Sequence, residues 1–149
     1  MYTINKLNEN HKPIPLKHKC EEEFFGQPMT DEILHDFAVT LIMVYYYYQG
    51  GEIISKNPNI GLEFPHLVMK NDKLKKNYFV IIQGAPYPQV PEPLPADNYA
   101  NIIMLSKDAN AVPVFVGVTF MNMSREDPGT LICGDKYIVQ FTGLLPLND

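Results

Sequence analysis

Three carboxylates are the side chains of this sequence best suited to holding a cation. Glu32 and Asp36 lie one turn apart in a predicted helix, so their side chains share one face. Together with Glu63 they could form an acidic cluster that binds a metal ion. The simpler interpretation is a solvated helix start, because the helix dipole favours anions at that end.

Further candidates belong to a predicted β-hairpin in the middle of the chain. His66 lies near the start of the first strand of this hairpin, and Gln83 lies near the end of the second strand. Either could contact a ligand, although a histidine at a strand start is more often hydrogen-bonded within the fold. The turn carries a basic patch made of Lys70, Lys73, Lys75 and Lys76. The simpler interpretation of this patch is a solubilising hairpin tip.

Two helices are needed to position these side chains. The first is predicted over residues 30–48, where Thr30 is a suitable N-cap and apolar residues recur at helical spacing. Its apolar stripe is wide, so this helix is expected to pack against a sheet. The second is predicted over residues 96–108, after a proline-rich connection.

The remaining periodic segments predict a sheet. The second hairpin strand, residues 78–82, is apolar without alternation, which is typical of a central strand buried on both faces. Other strands are predicted at residues 52–55, 64–70 and 112–123, with a closing hairpin from 131–133 and 137–141. Residues 1–29 are expected to form an irregular N-terminal arm with an edge strand at 14–16.

These elements predict a single α/β domain over residues 1–149. Its central mixed sheet is flanked by a long N-terminal helix and a second helix. The element order is αβββαβ plus a C-terminal hairpin.

Composition narrows the functional classes. The chain has 149 residues, of which 46% are hydrophobic and 19% charged, as in soluble globular proteins. A net charge of −5 counts against a nucleic-acid-binding protein. The longest apolar run is too short for a membrane span, and a cytoplasmic location is expected. His11, His18 and Cys20 are spaced too loosely for structural zinc, so no resident metal is expected.

The element order and the sequence of the central hairpin resemble the PD-(D/E)XK, or restriction-endonuclease-like, nuclease superfamily. The resemblance covers residues 30–123 and includes Pro65 before the first hairpin strand. In that superfamily an aspartate ends the second strand, and an acid and a lysine lie on the third. The resemblance implies a magnesium-dependent phosphodiesterase site at the hairpin, with the basic patch facing nucleic acid.

The sequence departs from that pattern at each of these positions. His66 stands where the aspartate is needed, Ile81 where the acid is needed and Gln83 where the lysine is needed. Magnesium prefers hard oxygen ligands, which these three side chains do not supply together. The first hypothesis is therefore a non-catalytic binding or structural module on a nuclease-like fold, without a cofactor.

Two alternatives remain open from the sequence. One is a magnesium-dependent nuclease whose carboxylates are supplied by the acidic cluster of Glu32, Asp36 and Glu63. The other is a cone-shaped α+β domain with a small-ligand pocket lined by Tyr45, Phe79 and Phe115.

A run of four tyrosines at the end of the first helix also suggests a partner. A homodimer could form through Tyr45, Tyr46, Tyr47 and Tyr48. The simpler interpretation is a helix end that lies between two layers of the fold.

Overall fold

The structure is a computed structural model that describes residues 2–6, 14–16, 22–57, 59–71 and 75–147. Its first helix, α1 (Asp31–Tyr48), begins as predicted: the backbone N–H of Ile33 donates to Oγ1 of Thr30 over 3.2 Å. It ends at Gln49, and Gly50 follows with a φ of +91°, a conformation that favours glycine.

Eight strands form one mixed sheet in the described part of the chain. They are β1 (Tyr2–Lys6), β2 (Ile14–Leu16), β3 (Glu52–Lys56), β4 (Leu67–Asn71), β5 (Lys76–Pro86), β6 (Ala111–Asn122), β7 (Tyr137–Phe141) and β8 (Leu145–Pro146). The order across the sheet is β2-β1-β7-β6-β5-β4-β3, and β8 pairs with β6. The pairs β5/β6 and β1/β7 are parallel, and the other pairs are antiparallel.

The predicted central hairpin is confirmed by β4 and β5. Their antiparallel register runs from Asn71 opposite Lys76 to Leu67 opposite Val80. Beyond Val80, β5 continues to Pro86 and keeps its parallel pairing with β6. The last part of β5 therefore has a neighbouring strand on one side only among the described residues.

The connection between the parallel strands carries the second helix. It begins with a 3₁₀ turn at Ala96–Tyr99 and continues as α2 (Ala100–Asp108). Parallel neighbours need a long crossover of this kind, and a helix is its usual form. The predicted order αβββαβ and the α/β class are thus confirmed by α1, β3, β4, β5, α2 and β6.

Each helix covers its own face of the sheet. On the α1 face, Phe37 contacts Phe120, with ring centroids 5.0 Å apart, and Val80 is fully buried in the same cluster. On the α2 face, Ile102 packs with Phe115. Successive strand side chains point to opposite faces, so β5 and β6 bury residues in both clusters. This explains why their sequences are apolar without alternation.

The closing hairpin was predicted with the wrong partner. Strand β7 pairs with β6, and residues 131–133 pair with an earlier segment instead. The N–H of Gly26 donates to Cys133 O over 2.9 Å, and the N–H of Cys133 donates to Gln27 O over 2.9 Å. The hydroxyl of Tyr137 also accepts the backbone N–H of Ile132 and donates to its carbonyl oxygen, so both backbone groups of this residue have partners.

The N-terminal arm is not irregular throughout. The predicted edge strand at residues 14–16 is β2, which lies at the end of the sheet as expected. Residues 2–6 form β1, which was not predicted and which pairs in parallel with β7. Backbone pairing to a distant strand, rather than a local pattern, places this segment in the sheet.

Candidate functional site

A cavity of about 420 Å³ lies beside the last part of β5, where β4 no longer covers the sheet edge. Its lining comes from the first turns of α1, the loop before β4, residues 81–84 of β5, the segment that leads into α2 and Phe115 of β6. Its size lies in the range of small-molecule sites. The predicted nuclease-like site would lie at this same end of the hairpin.

His66 closes part of this sheet edge with its own hydrogen bonds. Its backbone N–H donates to Val80 O over 2.9 Å, and its Nδ1 accepts the N–H of Ile82 over 2.9 Å. The ring therefore substitutes for the acceptor that a neighbouring strand would provide. Its Nε2–H donates to Gly61 O over 2.9 Å.

The protonation state of His66 follows from these contacts. Its side chain is buried, and burial lowers the pKa, although the bond to Gly61 opposes this effect. Nδ1 keeps its lone pair because it accepts from Ile82, so the ring is neutral. Both nitrogens have protein partners, as the simpler interpretation predicted, and neither is available to a metal ion.

His35 is the functional candidate that the sequence interpretation missed. It lies in α1 beside Asp36, and only 3% of it is exposed. Its ring meets His66 edge to face, with centroids 4.3 Å apart and planes at 77°. It lines the cavity, and its Nε2 is buried without a hydrogen-bond partner among the residues that the structure describes.

Electrostatics keep His35 neutral. Burial, and second the neighbouring His66 ring, lower its pKa from 6.5 to about 4, while Asp36 and the backbone of Asn59 oppose the change. Because Nε2 has no partner, the contact with the Asn59 backbone belongs to Nδ1, which acts as the donor. Nε2 consequently keeps a lone pair that accepts from no donor in the described part of the chain.

The other walls of the cavity are largely apolar. Ile81, Leu62, Tyr99 and Phe115 come from the α2 side of the sheet, and Leu34 comes from α1. Two polar residues join the histidines, namely Asp31 from the first turn of α1 and the exposed Gln83 from β5. Of the five predicted ligand candidates, His66 and Gln83 are thus brought together.

The three carboxylates of the predicted acidic cluster do not converge. Oδ1 of Asp36 forms an ion pair with Nζ of Lys56 at 2.9 Å. Glu32 and Glu63 are exposed, and none of the three lines the cavity. Among the described residues, no group of three or more histidines, cysteines, aspartates and glutamates is placed to hold a metal ion. His11, His18 and Cys20 lie outside the described residues.

The basic patch lies at the opposite end of the hairpin from the cavity. Lys70, Lys75 and Lys76 are exposed near the turn, whereas Lys73 lies outside the described residues. Six strand residues separate Lys76 from Ile82, a distance of roughly 20 Å. The patch and the cavity are therefore separate features.

The four consecutive tyrosines do not form one surface. Tyr45 is 1% exposed and packs on Phe141 with ring centroids 4.7 Å apart, and Tyr46 is half-buried. Only Tyr47 and Tyr48, at 64% and 68% exposure, are accessible to a second copy. The predicted dimer surface must be reduced to these two residues.

The alternative pocket predicted from Tyr45, Phe79 and Phe115 is wrong. Tyr45 belongs to the core cluster on the α1 face, whereas Phe79 and Phe115 belong to the cluster on the α2 face. The sheet separates them. Of the three, Phe115 alone lines the cavity described above.

In the described part of the chain, neither helix is long and apolar enough to cross a membrane.

Comparison with known proteins places the chain in a family. Residues 32–147 match the family DUF8840, described as a domain of unknown function. This match covers most of the chain, and the protein belongs to this family. No curated protein and no solved structure matches the chain.

Proposed function

We propose that this DUF8840 domain is a non-catalytic binding module on a nuclease-like α/β frame, and that the cavity beside β5 is its ligand site. One observation carries the proposal. The place where such a frame would need converging carboxylates holds instead an enclosed, mostly apolar space lined by two neutral histidines. A pocket with apolar walls and a few polar groups is the usual form of a small-molecule site.

The nuclease-like frame is supported by the pairing as well as by the order of the elements. β3, β4 and β5 form an antiparallel meander, and β6 returns parallel to β5 through α2. The helices lie on opposite faces, and β5 lies between β4 and β6, with β4 opposite it as far as Val80. A position of the whole strand at the end of the sheet would have contradicted the resemblance.

The non-catalytic part of the proposal is supported by ligand chemistry. Among the residues that line the cavity, Asp31 supplies the one carboxylate, whereas magnesium prefers several oxygen ligands. The alternative nuclease needs Glu32, Asp36 and Glu63 at one point, and Asp36 is instead paired with Lys56. A cytoplasmic location forms part of the proposal, which the free thiol of buried Cys133 suits.

The binding part is tested by screening a fragment library with ¹H–¹⁵N correlation spectra of the labelled protein. We expect hits whose shifts concentrate on the amides of residues 81–84. The variant Leu94→Trp should weaken these hits because it narrows the cavity, which Leu94 lines with half of its surface exposed. Val90→Trp is the matched control, since Val90 is similarly exposed on the same segment but does not line the cavity. Hits that ignore Leu94→Trp, or no hits in the cavity, would contradict the proposal.

The absence of catalysis is tested separately with single- and double-stranded DNA and RNA. We expect no cleavage with magnesium or manganese. Cleavage that is lost in Glu32→Ala or Glu63→Ala would establish the relocated-carboxylate nuclease instead.

A further inference from the structure

A groove of about 340 Å³ runs along the outer side of α2 and the turn before it. The residues that line this outer groove recur at helical spacing, and they are Ala96, Asp97, Ala100, Ile103, Met104 and Lys107. None of them lines the cavity beside β5. The two are separate features of the fold, so a role for the outer groove does not depend on the proposed ligand site.

The inner side of α2 already supplies the contacts that hold this helix on the sheet. Ile102 and Ser106 are fully buried there, and Ile102 packs with Phe115 of β6. The outer groove adds apolar surface on the other side, where Met104 is 54% exposed and Ala100 is also exposed. A surface helix normally has one apolar stripe and an opposite polar face. The packing of α2 on the sheet therefore does not account for these two exposed apolar residues.

Opposite charges mark the two ends of the outer groove. Asp97 lies in the turn at the start of the helix and Lys107 in its last turn, and both are exposed. These positions suit the helix dipole. The dipole does not call for apolar side chains between the charges, however. Asp97 and Lys107 lie five residues before and five residues after Ile102, so reversing the direction of the helix about Ile102 exchanges the two charges.

We infer that the outer groove binds the same groove of a second copy of the chain, with the two α2 helices antiparallel. When the midpoints of both helices are level, Asp97 of each copy lies opposite Lys107 of the other. The same arrangement places the small side chain of Ala100 opposite the long side chain of Met104. Each of these contacts occurs twice, as a two-fold symmetric interface requires.

Charge selects the antiparallel arrangement. Parallel helices would place Asp97 against Asp97 and Lys107 against Lys107, and like charges opposite each other disfavour association. A contact between two short helices lies at the small end of specific interfaces. The dimer should therefore be weak and should form as the protein concentration is raised.

Exchange of the two charges tests the inference. Association is measured by sedimentation velocity from micromolar to millimolar concentration. Asp97→Lys places two lysines at each end of the interface, and Lys107→Asp places two aspartates there. Each variant alone should associate about tenfold more weakly than the wild type, because two attractions become two repulsions. In an equimolar mixture of the two variants opposite charges face each other again, and a heterodimer should form with the affinity of the wild type.

The apolar centre of the interface is tested with both charges left in place. Met104→Ser removes the long side chain from both halves of the interface and should weaken association about tenfold. Met123→Ser is the matched control, since Met123 is 57% exposed but does not line the outer groove, and it should change nothing. In a mixture of ¹³C-labelled and unlabelled wild type, we expect an intermolecular nuclear Overhauser effect between the methyl groups of Met104 and Ala100. The ¹H–¹⁵N spectrum of each variant reports whether it is folded.

Three results would overturn the inference. The first is a wild type that stays monomeric at millimolar concentration, which would leave the outer groove to another partner or to none. The second is a dimer that neither charge exchange nor Met104→Ser weakens. The third is a mixture of the two charge variants that does not associate although both are folded. A dimer that is lost only when Tyr47 and Tyr48 are replaced with serine would place the interface at the end of α1 instead.

Discussion

The neutral state of His35 makes a quantitative prediction about stability in acid. In the unfolded chain this histidine gains a proton near pH 6.5, whereas in the fold its pKa is lowered to about 4. Between these two values the unfolded state binds more protons than the folded state. The stabilising effect of a neutral His35 is therefore complete above pH 6.5 and is lost as the pH falls towards 4.

The size of the effect follows from the shift. One pKa unit corresponds to about 1.4 kcal/mol, so a lowering from 6.5 to about 4 is worth roughly 3 kcal/mol of unfolding free energy. The groups that face the ring are His66, Asp36, Lys56 and the backbone of Asn59. All of them remain in the variant His35→Leu. Between pH 7 and pH 4 the unfolding free energy of this variant should therefore fall by about 3 kcal/mol less than that of the wild type.

The assay is urea unfolding at half-unit pH intervals for both proteins. The pKa of His66 is also lowered, and that residue is present in both, so its own contribution largely cancels in the difference. Ser106→Ala should follow the wild-type profile. Parallel loss of stability in the wild type and in His35→Leu would show that His35 is protonated as readily in the fold as in the unfolded chain, and the reasoning about its buried lone pair would fail.

Three further outcomes are expected. His66→Leu should lower the unfolding free energy in urea by about 1–3 kcal/mol, because it leaves the N–H of Ile82 without an acceptor. An unchanged midpoint of urea unfolding would contradict the role of His66 at the edge of β5. Phe120→Ala, at a fully buried position on the α1 face, should cost about 3–5 kcal/mol in the same assay, and a loss below 1 kcal/mol would contradict the core assignment. If a homodimer forms through Tyr47 and Tyr48, replacing both with serine should give a monomer in light scattering, and a wild type that is monomeric at high concentration would refute the dimer.

Local signals in the sequence were sufficient to predict α1 and the central hairpin. Thr30 caps the helix by accepting the N–H of Ile33, three residues further on, and β4 and β5 are adjacent in the chain. The prediction of a closing hairpin was wrong because its two segments, although adjacent in the chain, do not pair with each other. Residues 131–133 pair with the chain near Gln27, more than a hundred residues earlier, and no local pattern encodes such a contact.

His35 could have been identified from the sequence by its spacing. Val39 and Ile42 follow it at helical intervals, and both are fully buried, so His35 continues an apolar stripe. Its burial depends on the loop before β4 and on His66, which are distant in sequence. Asp36, in contrast, finds Lys56 on β3, which removes it from the predicted acidic cluster.

The two histidines of the cavity have opposite roles although their rings touch. His66 completes the edge of β5 with its backbone N–H, which donates to Val80 O, and with its Nδ1, which accepts the N–H of Ile82, so this part of the strand edge has no unpaired N–H at Ile82. Its Nε2–H binds Gly61 O in the loop before β4. Nε2 of His35 has no hydrogen-bond partner among the described residues, and burying it unpaired lowers stability. Local rules of folding are broken mainly at functional positions, where the cost is offset elsewhere. Because His35 also lines the cavity, the cost of its unpartnered Nε2 supports the proposal that this cavity is the functional part of the fold.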